Sequence, residues 1–542
     1  MADRFLSAYP HRLYVDLFEL AERMPALNVK APGVKKALRS LGYEIDEGKF
    51  VSLGILLGLV FFVLGLLLGG LIFGLVFFAF GYVYVLYYPQ MKVAKRIADI
   101  EAEMPLSLRT LGMLLNMNVP FVKALKVIAE SKSPFGEELE KAVKEIERGS
   151  SIPKALGSIA ERMDSIAVKR AMAQVISAYE QGAGGNEIKR IANELLSIQR
   201  HRIKEFSSKS AMYGLFFIVM AAVAPTFFLV MSVVGRFAFQ MNISGEMVYI
   251  MYLVVFPLLS LLILLLSKSS LPPSLFKEKR QLKAYLPLLA AAAVVTAVWL
   301  LPLDVIFKGI ALGIILLISA KNFYSSYKEG KEVESIESNL PDALFSIAGM
   351  PKGAHIEKIF ERIAHAGFGR LSEEFETASK QMKANVKPEI VVKDLGERVG
   401  SDMLMRAGEI MVKVFEAGGH VGERLAELAE DMLLFYEMKR ERANVLSMQK
   451  YTLIAGAVII PLILSTALGL VGKIAALMQE ESNIVDVAYS VIPVYLILYS
   501  ALTAFYISDS EGKPSNGLVY FVGIAIASIA IFYLSGSSGV VG

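Results

Sequence analysis

The chain has 542 residues, of which 55% are hydrophobic and only 20% are charged, and its mean hydropathy is +0.51. These values exclude an ordinary soluble protein and indicate a polytopic membrane protein. The formal charge of +4 is too small to indicate nucleic-acid binding, and the absence of cysteine excludes disulfides and thiolate metal sites.

The N-terminal part of the chain is predicted to be a soluble helical segment followed by a membrane hairpin. Residues 1–49 mix both charge signs and lack the early apolar core of a signal peptide. Residues 50–91 carry no charged side chain, which is too long for one span. We expect two short helices, roughly 51–68 and 70–88, joined by a tight turn at Gly69-Gly70.

Seven further apolar segments are long enough to be membrane helices. Those in the middle of the chain form a four-helix membrane region over 211–320, and three more follow in 451–542. The predicted spans are 211–234, 247–267, 284–303, 305–320, 451–472, 487–507 and 517–534. The sequence therefore predicts about nine spans, with Asp304 between two of them and Lys308 reaching towards the interface.

The charge of the short loops predicts the orientation. Loop 268–283 carries five basic residues against Glu278, so we expect it to be cytoplasmic. Counting spans from there places residues 1–49 and both long polar regions inside, and the C-terminus outside. Loop 508–516 should also be inside, although Asp509 and Glu511 make it net negative.

The two long polar regions, 92–210 and 321–450, are predicted to be helical bundles. Apolar residues recur at spacings of three and four, and glycine or proline breakers separate the periodic runs. Each region is long enough for about five to six helices around a core of its own. The fold class is therefore an all-α integral membrane protein with two cytoplasmic bundles.

The two halves of the chain are related by an internal duplication. Matching residues recur at a constant offset of 236 positions (341 − 105), which is hard to produce by chance. The matched pairs are Pro105 and Pro341, Glu161-Arg162 and Glu397-Arg398, Glu180 and Glu416, Glu187 and Glu423, and Pro225 and Pro461.

Two motifs give the duplicated pattern a family resemblance. Leu111–Leu125 (LGMLLNMNVPFVKAL) and Ile176–Glu187 (ISAYEQGAGGNE) resemble the type II secretion F-domain family, the platform proteins of secretion, type IV pilus and archaellum machines. Val414–Glu423 (VFEAGGHVGE) is the second copy of the latter motif, whereas Ala348–His355 (AGMPKGAH) departs from the family pattern. The resemblance implies a platform that sits on a hexameric cytoplasmic ATPase.

The glycine turns of these motifs have a physical reading of their own. Gly182, and Gly418 with Gly419, are expected to stop a helix in the left-handed conformation. Glu187 and Glu423 then fall in the first turn of the next helix, where a carboxylate favours the helix dipole. Each turn is either a stable helix corner or a surface that a partner contacts.

Pro225 and Pro461 each lie within a span that directly follows a polar region. Proline removes one backbone hydrogen bond and kinks a helix. The kink is either a static packing feature or a hinge that lets a bundle move against the bilayer.

The first polar region is the more basic one. Residues 89–210 hold 20 Lys and Arg against 15 Asp and Glu, whereas residues 321–450 hold 19 against 22. Contact with anionic lipid or with an acidic ATPase rim would explain this excess. The candidate ATPase contacts are Lys169, Arg170, Arg200, Arg202 and Lys204.

Catalytic and cofactor signatures are absent from the sequence. The five histidines are scattered, and Gly472-Lys473 lacks the first glycine and the Ser or Thr of a nucleotide-binding loop. We predict a non-enzymatic platform without cofactor, a homodimer that couples an ATPase to the insertion of pilin or archaellin subunits. The alternative is a transporter built from two repeats, although such repeats usually place polar groups at mid-membrane.

Overall fold

In the described ranges of the computed structural model, helices are joined by short turns and irregular segments, and none of these ranges contains a strand. These ranges contain six helices that are long and apolar enough to cross a bilayer. The structure describes residues 17–27, 29, 31–41, 43, 45–130, 133–182, 184–239, 243–271, 285–300, 305–350, 355–417, 421–477 and 483–537.

The N-terminal helices pack against a long helical segment that folds back on itself. Helices α1 (Leu17–Glu22) and α2 (Pro32–Leu41) precede α3 (Glu47–Asn116). A Cβ placed on Gly58 would lie 3.0 Å from the Phe78 ring, and one on Gly74 would lie 2.9 Å from the Phe62 ring. Because such pairs are far apart along a straight helix, the chain reverses direction between residues 62 and 74.

The helices that follow α3 recur later in the chain at the same offset as the sequence matches. In the first half they are α4 (Phe121–Ala129), α5 (Pro134–Glu147), α6 (Ile152–Arg162), α7 (Ile166–Glu180) and α8 (Gly185–Ile218). In the second half they follow α13 (Val305–Ala348), and they are α14 (Ile356–His365), α15 (Arg370–Lys383), α16 (Pro388–Val399), α17 (Asp402–Ala417) and α18 (Val421–Leu477). From α5 to α8, every helix start is repeated 236 residues later (370 − 134).

Two polar contacts are repeated with the helices. The hydroxyl of Ser165, at the N-terminus of α7, donates to Glu101 of α3 at 2.5 Å, and Ser401 donates to Glu337 of α13 at 2.7 Å. Both serines also accept a hydrogen bond from the backbone N–H three residues later, as helix-capping residues do.

The second repeated contact is an ion pair between neighbouring helices. Arg162 of α6 contacts Glu138 of α5 with an Nε–Oε2 distance of 3.2 Å. The pair formed by Arg398 of α16 and Glu374 of α15 has a distance of 2.7 Å. Because both members of each pair are displaced by 236 residues, the duplication extends to side-chain contacts.

The apolar core is built from helices of both halves. A π-turn, Val219–Val223, joins α8 to α9 (Ala224–Phe239), and a second one, Met251–Val255, joins α10 (Gly245–Ile250) to α11 (Phe256–Ser269). The remaining core helices are α12 (Leu286–Leu300), α19 (Asn483–Ser510) and α20 (Gly517–Ser537).

The candidate spans agree with most of the predicted ones. They are Gly185–Gly235, Gly245–Ser269, Lys308–Ala348, Val421–Leu477, Ile484–Ser510 and Pro514–Ser535. The predicted span 284–303 corresponds to a shorter apolar helix, Leu286–Trp299, and Asp304 lies outside the described residues. Lys308 donates to the Trp299 carbonyl at 2.9 Å.

The chain divides into two compact units. One contains residues up to 112 together with 120–192, and the other contains 113–119 together with 193 onward. The first therefore holds the N-terminal helices and most of the first bundle. The second holds the second bundle and the membrane core that α9 to α13 and α18 to α20 form.

Candidate functional site

The first glycine turn forms a sharp helix corner. Gly182 follows α7 with a φ of +64°, a left-handed conformation that glycine adopts without steric cost. Helix α8 then begins at Gly185, and Glu187 lies in its first turn, where it pairs with Arg190. In the second copy, Glu423 is exposed in the first turn of α18, while Gly418 and Gly419 lie outside the described residues.

Each corner lies directly against the end of the long helix that opens its bundle. A Cβ on Gly112 of α3 would lie 2.6 Å from the Gly185 carbonyl oxygen. In the second copy the glycine is on the other helix: a Cβ on Gly422 of α18 would lie 2.3 Å from the Ala348 carbonyl oxygen. The fold therefore brings together the two motif segments that carry the family resemblance.

A hydrogen bond in the second unit joins the two copies near these corners. Arg424, in the first turn of α18, donates from Nη2 to the Asn116 carbonyl oxygen at 3.1 Å. Its other nitrogen, Nη1, lies 3.1 Å from Oε2 of Glu427. Asn116 belongs to the segment 113–119, which is part of the same compact unit as Arg424. Segment 113–119 of copy one is thus bound to the first turn of α18.

The two helices that leave the corners run side by side, with equivalent positions facing each other. Arg200 of α8 contacts Glu437 of α18 at 3.3 Å, and a Cβ on Gly214 would lie 3.0 Å from Thr452 Cγ2. The two members of these pairs are 237 and 238 positions apart in the sequence, close to the repeat offset of 236. Helices α8 and α18 are therefore parallel and nearly in register, and we call each of them, with its continuation into the core, a rod.

Both rods are fixed to the end of the same membrane helix. The Tyr213 hydroxyl of α8 lies 2.9 Å from the Ser270 hydroxyl, just after α11. Gln449 of α18, the residue equivalent to Tyr213, donates to the Ser267 hydroxyl of α11 at 2.7 Å. The Ser267 hydroxyl also lies 2.9 Å from the Tyr506 hydroxyl.

The two acidic residues of loop 508–516 each form an ion pair with a lysine of another helix. Asp509 is buried, contacts Lys268 at 2.5 Å and accepts a hydrogen bond from Tyr285 at 2.9 Å. Glu511 contacts Lys450 of α18 at 2.7 Å. Both carboxylates of this loop are therefore neutralised by neighbouring lysines.

Both prolines are buried, and in each copy a hydroxyl of another helix donates to the carbonyl four residues before the proline. Pro225 cannot donate to the Ala221 carbonyl one turn earlier, and Tyr495 donates to that oxygen at 2.7 Å. In α18, Pro461 cannot donate to the Ala457 carbonyl, and Ser528 donates to it at 3.2 Å. In both copies the carbonyl is thus bound by a C-terminal helix, although the first carbonyl lies in a π-turn and the second in an α-helix.

Sequence reasoning found the prolines but not their hydroxyl partners. Tyr495 lies in α19 and Ser528 in α20, and both side chains are fully or almost fully buried. Polar residues at mid-span are the signal that could have pointed to them, because a hydroxyl in apolar surroundings needs a partner. Which carbonyl each one binds depends on packing between segments 71 to 274 residues apart.

The five candidate basic residues lie in two different compact units. Lys169 and Arg170 are exposed on α7 in the first unit, where Lys169 is 3.7 Å from Asp164. Arg202 and Lys204 are exposed on α8 in the second unit. Arg200 is half-buried against Glu437, so this residue contributes to the pairing of the rods.

The chemistry of the described residues is that of packing and hydrogen bonding. Within those ranges, no group of three His, Asp or Glu side chains is arranged to hold a metal ion. The contacts that recur in both copies are helix caps, ion pairs, close glycine contacts and hydroxyl–carbonyl bonds. Such an arrangement can hold helices at fixed angles and transmit displacement between them.

The comparison with known families agrees with this arrangement. The profile of the type II secretion system (T2SS) protein F family matches residues 107–234 and again 349–469, and a search of curated proteins gave no match. Each matched segment contains one corner and one kink proline. Proteins of this family are non-catalytic membrane platform components of secretion and pilus systems. The predicted resemblance is confirmed: the chain carries two copies of the T2SS protein F domain, and these domains together with the six apolar helices indicate a multi-pass membrane protein.

Proposed function

We propose that the chain is the cell-membrane platform of an archaeal type IV pilus-like or archaellum-like filament machine. In this role both bundles are cytoplasmic, a hexameric secretion ATPase engages them, and the membrane core delivers pilin or archaellin subunits to the filament base. The platform itself carries out no catalysis and needs no cofactor. It works as a homodimer and binds no nucleic acid.

The observation that carries the proposal is the continuity between each F domain and the apolar core. Helix α8 begins at the corner at Gly185 and continues through the π-turn to Pro225, and α18 runs from Val421 to Pro461 without interruption. Each path covers 40 residues, or about 60 Å of helix. A rigid connection of this length transmits movement of a bundle into the membrane.

The use of polar groups in the core supports a platform over a transporter. Three buried hydroxyls, of Tyr252, Tyr495 and Ser528, donate to backbone carbonyls of neighbouring helices. Transporters instead direct mid-membrane polar groups and broken helix ends towards a substrate or ion. The hydroxyls described here have a structural role.

Deletion of the gene tests the proposed function most directly. We expect the deletion strain to lack one class of surface filament in electron micrographs, and plasmid-borne wild-type protein to restore it. Normal filaments and unchanged motility in the deletion strain would refute the proposal. Loss of uptake of a solute with intact filaments would favour the transporter.

Charge reversal tests the ATPase contact. The double variant K169E/R170E should reduce co-purification of the secretion ATPase several-fold, because the pair is exposed and basic. The variant R202E/K204E is the matched comparison, since those residues are equally exposed on α8. Unchanged co-purification in both folded variants would remove these two patches as the contact.

A further inference from the structure

The two hydroxyl–carbonyl bonds at the kinks connect the rods to helices outside the family matches. The second match ends at residue 469, whereas Tyr495 and Ser528 lie in α19 and α20. An unpaired carbonyl is costly in a membrane core, where no water replaces the missing N–H. The form of each rod in which this carbonyl is bound to the partner helix is therefore favoured.

The two bonds are specific to their own rods. The Tyr495 hydroxyl donates to the Ala221 carbonyl, in the π-turn that continues α8, and the Ser528 hydroxyl donates to the Ala457 carbonyl of α18. The Tyr495 ring also packs edge-on against Tyr252, with ring centroids 5.6 Å apart, and the Tyr252 hydroxyl donates to the Pro225 carbonyl at 2.8 Å. The backbone on both sides of Pro225 is thus held by tyrosines of two other helices.

We propose that Tyr495 and Ser528 are positioning residues that lock the Pro225 and Pro461 kinks onto α19 and α20. With the locks in place, a rod cannot bend at its proline without moving its partner helix. Displacement of a bundle then passes to the C-terminal helix pair instead of being absorbed at the kink. The use of this movement for filament assembly rests on the proposed function, whereas the locks themselves do not.

Spin-label distances across each kink test the locks directly. The chain has no cysteine, so labels attach only at introduced sites. For the first rod we choose S208C with F239C, and for the second N444C with L477C, all of which are exposed. Each pair spans about 50 Å of helix. The full chain is measured in lipid nanodiscs without ATPase or filament subunits.

The variants remove one hydroxyl each and keep the packing. Y495F should broaden the distance distribution of the first rod and leave the second unchanged, and S528A should do the reverse. Y499F is the control for Y495F, because the Tyr499 hydroxyl binds the Leu453 carbonyl, which does not lie one turn before a proline. S535A is the control for S528A, because Ser535 donates to its own helix.

The pattern across the two rods decides the outcome. Broadening that is confined to the matching rod and absent from both controls supports the locks. Unchanged distributions in Y495F and S528A overturn the proposal. Equal broadening of both rods in either variant, or equal broadening in a control, also overturns it, because the effect would then be general loosening.

A filament assay separates the locks from the proposed function. If Y495F and S528A broaden their rods and also reduce surface filaments in complemented deletion strains, both the locks and their use are supported. If the rods broaden but filament numbers stay normal, the locks stand and their role in assembly is refuted.

Discussion

Ser401 donates its hydroxyl hydrogen to Oε1 of the buried Glu337 at 2.7 Å, and Lys439 contacts the other carboxylate oxygen at 2.5 Å. The carboxylate thus joins α13, the start of α17 and the rod helix α18. In the first copy, Ser165 and Glu101 form the equivalent hydrogen bond. The same contact therefore connects the long helix of each bundle to the start of a later helix.

Replacing Glu337 by alanine should destabilise the second bundle by about 1–3 kcal/mol, because Ser401 and Lys439 lose their shared acceptor. Hydrogen exchange of peptides from α17 is the measurement, and we expect faster exchange near Ser401. E334A is the control, since Glu334 is exposed one turn earlier on the same helix. Equal exchange in the two variants would contradict the assigned role.

Glu138 should make the first bundle sensitive to acid. Burial raises the pKa of its carboxyl, but the hydrogen bond from Lys141 and the charges of Lys141, Arg96 and Arg162 outweigh that effect and lower the pKa below its ordinary 4.5. A lowered pKa stabilises the folded state fully above the unfolded value, and this stability is lost as the pH falls through the folded value.

The variant E138Q tests this linkage. Peptides of α5 and α6 should exchange faster in E138Q than in wild type at neutral pH, and the difference should shrink as the pH falls below 4.5 and through the lowered pKa of Glu138. A difference that persists at acid pH would show that the carboxylate charge is not responsible.

A disulfide should form between the rods at Gly214 and Thr452. A Cβ on Gly214 would lie 3.8 Å from the Thr452 Cβ, which matches the usual disulfide separation of about 3.8 Å. We expect G214C/T452C to yield a cross-linked peptide pair in mass spectra after mild oxidation. G214C/Y451C should not, because Tyr451 is 67% exposed and lies on another face of α18. Absence of the first product would exclude the in-register pairing.

Gly112 should not tolerate a side chain. The G112A Cβ would lie 2.6 Å from a backbone oxygen, so α3 and α8 must separate, at a cost of about 1–3 kcal/mol. At Gly157 in α6 no atom beyond the adjacent residues and the local helix backbone lies within 4 Å of such a Cβ, and G157A should stabilise the helix by about 0.5–1 kcal/mol. Thermal unfolding in detergent measures both; a lower midpoint for G157A than for G112A would refute the close-contact argument.

The sequence revealed the repeat and most spans because these depend on local signals. Prolines, glycines and acidic first turns recur at one offset, and the helices of the structure begin at that same offset. Gly182 ends its helix because its own backbone adopts a left-handed conformation, which depends on no other segment of the chain. Such features can be predicted without knowing which segments meet.

Features that depend on pairing between distant segments could not be predicted. The sequence predicts that Arg200 binds a partner protein, whereas in the structure it pairs with Glu437. Glu437 lies 237 residues away, and only the packing of the two rods brings the pair together. Asp509 of α19 likewise has its partner, Lys268, on α11. Hydropathy patterns carry no information about such pairs.

The glycine of the corner contact lies on α3 in one copy and on α18 in the other. A close approach of two helix backbones needs a residue without a side chain at the contact, but either helix can supply it. Because both copies lie in one polypeptide, each corner is encoded by its own residues. A side chain introduced at Gly112 therefore alters the first corner and leaves the contact at Gly422 unchanged.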